Sequence, residues 1–173
     1  MIVIGHFYPL TMWVSMRICL AVVSSLVLAA AADTAALGER VGARLFEGAV
    51  ICLTGDLGAG KTCFAQGVAR GLGVRGPVQS PTFILIAEYP EARVPLRHAD
   101  LYRLETLAEA RGLGLEERVG VDGAWVIEWA DRWPELWPED RLDLVFTHLD
   151  HGRRVDVRAA GPRHVRLLEL FRG

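Results

Sequence analysis

The octapeptide Gly55-Asp56-Leu57-Gly58-Ala59-Gly60-Lys61-Thr62 fits G-x-x-x-x-G-K-[ST] at every fixed position, and it constrains the fold more than any other stretch of the chain. Directly before it, Ala49–Thr54 (AVICLT) is a charge-free, β-rich run that suits a strand buried on both faces. Directly after it, Lys61–Leu72 reads as a helix with Phe64, Val68 and Leu72 on one face, stopped by Gly73. A strand, a glycine-rich turn and a helix in that order form a phosphate cradle. Glycines let successive backbone N–H groups point inward at phosphate oxygens, and the helix start adds its positive dipole end. Lys61 then reaches the β- and γ-phosphates, and the Thr62 hydroxyl is a ligand for Mg²⁺. By ordinary residue frequencies such a match arises by accident in roughly one chain in a hundred, before its strand–helix setting is required.

Composition sharpens this reading at one point. Of the 19 basic residues, Lys61 is the one lysine and the rest are arginine. A net charge of −2 gives no overall electrostatic footprint for nucleic acid or an anionic membrane. Cys19, Cys52 and Cys63 are odd in number and share no metal-ligand spacing, so they read as reduced thiols. No Asn-Lys-x-Asp segment supports guanine, which leaves adenine as the default base.

The remaining chain alternates helical and extended patterns. Residues 24–31 (SSLVLAAA) read as a first strand and Thr34–Phe46 as a helix capped by Asp33 or Thr34. Phe83–Ala87, Val94–Ala99 and Ala124–Trp129 read as strands, and Leu107–Arg111 as a short helix. Leu142–Thr147 and Arg154–Ala159 alternate around Asp150-His151-Gly152 as an antiparallel hairpin with one wet face, and His164–Phe171 closes the chain as a helix. The pattern predicts a three-layer α/β domain with a mostly parallel sheet and an antiparallel C-terminal hairpin.

A P-loop site needs an acidic partner at the end of a neighbouring strand. Asp100 closes Leu96–Asp100 and Glu128 closes Trp125–Glu128, and in an α/β sheet both strand ends line the crevice of the P-loop. His98 lies on the same side of its strand as Asp100 and either orients it or is a core histidine. Ser80-Pro81-Thr82-Phe83 is a polar turn whose hydroxyls either approach the γ-phosphate or cap the turn. Trp129 is expected near the nucleotide, and Trp125, Trp133 and Trp137 in the core or at an interface. Arg93, Arg97 and Arg103, with Arg153 and Arg154, either meet RNA or, scattered among acids as they are, form a solvated surface, the reading their setting favours. Near the N-terminus, Met16-Arg17, the apolar run Ile18–Leu28 and Ala29–Ala32 have the layout of a signal peptide, although residues 24–31 serve equally as a core strand.

GDLGAGKT (55–62), SPTF (80–83), HADLYRL (98–104) and IEW (127–129), in this order and spacing, resemble the TsaE (YjeE) family of small bacterial P-loop ATPases needed to make threonylcarbamoyladenosine in tRNA. The resemblance covers roughly residues 25–160. It implies a P-loop α/β fold, with Gly55, Asp56, Leu57, Gly58, Ala59, Gly60, Lys61, Thr62 and Cys63 at the ATP phosphates. Thr62 and Glu128 would hold Mg²⁺, Asp100 would be needed for hydrolysis, and Trp129 and the first-helix start around Ala31–Thr34 would lie by the nucleotide. The implied partners are TsaD and TsaB, reset by ATP hydrolysis between turnovers, with tRNA met only indirectly and no membrane, in the cytoplasm. Cys63 stands where the family usually has a second threonine. Residues 1–23 are expected to be an extension, by misplaced start, disorder or signal-like character, and 24–173 a single P-loop ATPase domain. The alternatives are a P-loop small-molecule kinase with Asp100 as base, for which Glu116-Glu117-Arg118 makes a poor lid, and an exported or tethered interaction protein that retains a P-loop.

Overall fold

The computed structural model describes residues 22–172, so the expected extension lies outside the described residues up to position 21, while Val22 and Val23 already belong to the first strand. In chain order the elements are β1 (Val22–Leu28), α1 (Ala31–Gly42), β2 (Val50–Gly55), α2 (Lys61–Gly71), β3 (Ile86–Tyr89), β4 (Leu96–Asp100), α3 (Leu107–Gly112), α4 (Leu115–Arg118), β5 (Ala124–Glu128), β6 (Leu142–His148), β7 (Arg153–Ala159) and α5 (Pro162–Val165). Short 3₁₀ turns follow β5 at Ala130–Arg132 and Pro134–Leu136, and a longer one, Arg166–Phe171, ends the described chain.

One seven-stranded sheet runs in the order β1-β7-β6-β2-β5-β4-β3. Its centre, β6-β2-β5-β4, is parallel, as expected for strands linked by helical crossovers. The C-terminal hairpin β6–β7 is antiparallel as predicted, and its alternating burial leaves one face wet. The edges carry more antiparallel pairing than the sequence suggested: β1 pairs with β7, and β3 with β4.

Both faces of the centre are covered. Along β2, Ile51 and Leu53 join one core with Leu37, Phe64, Val68, Phe146 and Phe171, under α1 and α2. Val50 and Cys52 join the other with Trp125, Leu115, Trp133 and Trp137, under α3, α4 and the 3₁₀ turns. This is the predicted three-layer arrangement, and three of the four clustered tryptophans are core as expected. Burying each such aliphatic or phenylalanine side chain stabilises the fold by about 1.5–3 kcal/mol. The Cys52 thiol has its pKa raised well above the usual value, first by burial and then by the Asp143 charge, so it is an inert core group.

Helices α1 and α2 pack backbone to backbone because glycines face each other. A Cβ on Gly38 would lie 2.3 Å from the Phe64 carbonyl oxygen and one on Gly67 2.2 Å from that of Ala35; Gly42 and Gly71 repeat the arrangement one turn on. Close packing sets the start of α1 on the start of α2, where the Cys63 thiol meets the Ala31 carbonyl at 3.2 Å.

Several boundaries differ from expectation: the first strand is Val22–Leu28 rather than 24–31, and α1 ends at Gly42 rather than Phe46. Helix α1 begins at Ala31, not Thr34, because the Asp33 carboxylate accepts the Ala30 N–H at 2.9 Å from inside the first turn instead of capping from outside it. Strand β3 begins at Ile86, not Phe83. The Ile84 and Leu85 N–H groups both donate to the Pro81 carbonyl, closing a turn in which Leu85 takes φ 65° and Phe83 and Ile84 are exposed. The predicted closing helix is shorter still, a single α turn at Pro162–Val165 followed by 3₁₀ geometry.

Candidate functional site

Parallel pairing in register brings the predicted residues to one end of the sheet. Asp100 and Glu128 are direct partners across β4 and β5, and Glu128 faces Leu53 of β2, two residues before the glycine-rich turn. That turn joins β2 to α2. Gly60 precedes the helix at φ 114°, a conformation open to glycine at little cost, and no side chain caps the helix start. The first-turn N–H groups of α2 thus have no side-chain acceptor, which suits an anion. Asp56, Leu57 and Gly58 are exposed, Gly55 and Gly60 half-buried, and Ala59 is fully buried as the anchor of the loop.

Lys61 is 4% exposed, and its Nζ donates to the carbonyls of Gly55 (2.5 Å) and Asp56 (2.8 Å). The same ammonium stands 3.9 Å over the Trp129 ring. Burial pushes the Lys61 pKa down, and the charges of Glu128, Asp100, Asp131 and Asp56 oppose that shift. Trp129 is placed for this contact by its own backbone: it leaves β5 at φ 62°, ending the strand, and its ring tilts against Tyr102 with centroids 5.0 Å apart.

The two carboxylates are held differently. Glu128 accepts the Thr62 hydroxyl at 2.9 Å on Oε2 and meets His98 Nε2 at 2.8 Å through Oε1, with both acid and imidazole buried. Asp100 Oδ2 accepts the hydroxyls of Ser80 (2.6 Å) and Thr82 (2.5 Å), and its Oδ1 accepts the Tyr102 N–H at 3.1 Å. The Ser80–Thr82 turn is therefore fastened to the strand-end acid. His98, which the sequence offered either as an orienter of Asp100 or as a core histidine, is buried and bonded to Glu128 of the next strand, not to Asp100. Thr34 is fully buried in the first turn of α1 with its hydroxyl directed to the Ala30 carbonyl at 3.4 Å, so Ala31–Asp33 form the exposed part of that helix start.

Residues 28–155 match the family described as threonylcarbamoyl adenosine biosynthesis protein TsaE. The chain belongs to the TsaE family. The tRNA threonylcarbamoyladenosine biosynthesis protein TsaE of Bacillus subtilis is 41% identical over 79% of this chain and 86% of that protein. The protein of the same description from Treponema pallidum is 43% identical over 72% of this chain and 91% of its own length. The crystal structure of Bacillus subtilis YdiB superposes with a TM-score of 0.74 at 33% identity, covering 87% of this chain and 95% of that one. TsaE membership and the P-loop fold together imply nucleotide binding and a part in threonylcarbamoyladenosine biosynthesis. No helix among the described residues is long and apolar enough to cross a membrane.

The arginines expected at a solvated surface divide: Arg93 and Arg103 are exposed, while Arg97, Arg153 and Arg154 are half-buried. Arg93 donates to the carbonyls of Gly42, Ala43 and Leu45 behind α1, Arg97 pairs with Asp122 at 2.8 Å, and Arg103 lies over the Phe83 ring. Arg153 lies against the glycine-rich turn itself. Only the β6–β7 hairpin register could have signalled that position.

Proposed function

We propose that the chain is a magnesium-dependent ATPase that supports tRNA threonylcarbamoyladenosine formation by binding and resetting the TsaB–TsaD threonylcarbamoyl-transfer complex. In this reading tRNA is met only through those partners, the protein works in the cytoplasm, and residues 24–173 are its single working domain. The observation that carries it is the convergence of Lys61, Thr62 and Glu128 at an uncapped helix start, beside a second acid, Asp100, held by two hydroxyls.

The backbone from Gly55 to Cys63 wraps the phosphates, and Lys61 exchanges the Gly55 and Asp56 carbonyls for phosphate oxygens. The hydroxyl of Thr62 and the carboxylate of Glu128, 2.9 Å apart, are hard oxygen donors of the kind Mg²⁺ takes, and no group of three or more His, Cys, Asp or Glu among the described residues offers a cage of another type. Bound there, the ion supplies charge neutralisation for the transferring phosphoryl group. His98 fixes the Glu128 carboxylate from behind, acting as a positioning residue. Asp100, with Ser80 and Thr82, orients the attacking water. Trp129 and the α1 start flank the nucleotide, with Thr34 supporting that turn from within.

The test is ATP hydrolysis by the full chain with and without TsaB–TsaD, beside Asp100→Ala. Stimulation by the partners that disappears in the variant is expected. Absence of both binding and stimulation sinks the partner reading, and phosphoryl transfer to a nucleoside or sugar hydroxyl would replace it with a kinase.

A further inference from the structure

Arg153 opens β7 directly opposite His148 at the end of the β6–β7 ladder, and both residues reach the glycine-rich turn. His148 Nε2 stands 3.5 Å from the Leu57 carbonyl. A Cβ on Gly60 would lie 2.7 Å from Arg153 Nη1 and 3.4 Å from its Cδ, so the guanidinium leans on the residue immediately before Lys61. Its Nε is buried and meets no hydrogen-bond acceptor, and no acidic side chain among the described residues pairs with it. Other part-buried arginines are provided for. Arg154 Nε bonds Asp156 at 2.9 Å and Arg141 Nε bonds Asp143 at 2.7 Å. Arg97 also has an unmet Nε, but its Nη1 and Nη2 are engaged by Asp122. A part-buried cation without a counter-charge is unfavourable, and the planar fork of an arginine matches phosphate oxygens two at a time.

We propose that Arg153 is a phosphate-binding residue of this P-loop, delivered by the β6–β7 hairpin to grip the polyphosphate of the bound nucleotide in addition to Lys61. The inference rests on the nucleotide-binding reading above. It gives the hairpin a role the octapeptide does not contain: a permanent charge joined to the loop through tertiary structure alone. Because Gly60 carries no side chain, the guanidinium approaches the loop backbone as closely as it does.

Titration calorimetry of ADP into the full-length protein tests it, using Arg153→Ala, Arg153→Lys and Arg153→Gln, with the unfolding temperature of each free variant measured alongside. Loss of a charge-assisted contact predicts ADP binding about 10- to 100-fold weaker in Arg153→Ala. Arg153→Lys should recover part of the affinity, because it keeps the charge and loses the fork. Arg153→Gln, which keeps length and hydrogen bonding without charge, should not recover it. Wild-type affinity in Arg153→Ala, or full recovery in Arg153→Gln, overturns the proposal and leaves Arg153 as a prop for the loop. If Arg153→Ala does not fold, the lysine and glutamine variants decide between the same two outcomes. Lys61→Ala is the control: unchanged ADP affinity there removes the nucleotide site itself, whatever the Arg153 variants do.

Discussion

Two histidines, each 1% exposed, sit at opposite ends of the same sheet and have been given opposite work. At the carboxyl end, His98 meets Glu128 through Nε2 and leaves Nδ1 buried without a partner. At the amino end, His164 is closed on both sides: its Nε2 accepts the Val50 N–H at 3.0 Å and its Nδ1 bonds Asp140 at 2.5 Å. The first histidine acts on a carboxylate facing the P-loop. The second ties the C-terminal turn to the first residue of β2. In an open α/β sheet, chemistry collects outside the carboxyl ends of the strands, and the other end holds the fold together. Substitutions at the two ends should therefore separate function from stability.

The largest separation is expected at Lys61. Lys61→Ala should abolish measurable nucleotide binding, because the phosphates lose the chain's one lysine, while the unfolding temperature moves little. Calorimetric titration with ATP and thermal unfolding check the two halves. Next come the paired acids. Glu128→Gln should lower Mg²⁺-dependent turnover on the order of 10²–10³-fold while metal-free ADP binding is nearly kept. Asp100→Asn should lower turnover by a similar order and spare nucleotide binding with or without Mg²⁺. Equal loss of metal-free binding and turnover in Glu128→Gln would break the distinction between the two acids.

What the sequence disclosed follows the same division. The glycine-rich turn was legible because phosphate binding demands fixed residue types at fixed local spacing, and the strands before it and at 124–128 because burial on both faces leaves apolar runs. The strand-end acids were legible for the same reason. Interactions set by register were not. His98 bonds Glu128 because β4 and β5 are parallel and aligned, a fact that neither strand states alone. The start of β3 was misplaced because Phe83 and Ile84 look extended, while the hydroxyls of Ser80 and Thr82 on Asp100 hold that segment as a turn. Arg153 looked like surface because its neighbour Gly60 is 93 positions away by sequence number and is met only through the hairpin.

The smallest effect belongs to the amino end, and it has a pH sign. Burial pushes the His164 pKa below the ordinary 6.5, against the opposing pull of Asp140. The cause is visible in the bonding: Nε2 accepts from the Val50 N–H, so a proton added there would face another donor. The unfolded chain then binds more protons than the native one below the ordinary value, and stability must fall on acidification. The neutral histidine's contribution is fully present above pH 6.5 and is lost as pH drops through that value towards the depressed native one. Thermal unfolding of the wild type between about pH 8 and about pH 5 should show this slope. His164→Gln should flatten it, and should cost about 1–3 kcal/mol near neutrality by leaving the Val50 N–H or Asp140 poorly met. ATP turnover at a permissive temperature should stay at the wild-type level in that variant. A His164→Gln protein that keeps the wild-type acid slope would move the titration elsewhere, and one that loses turnover before stability would erase the contrast between the two ends of the sheet.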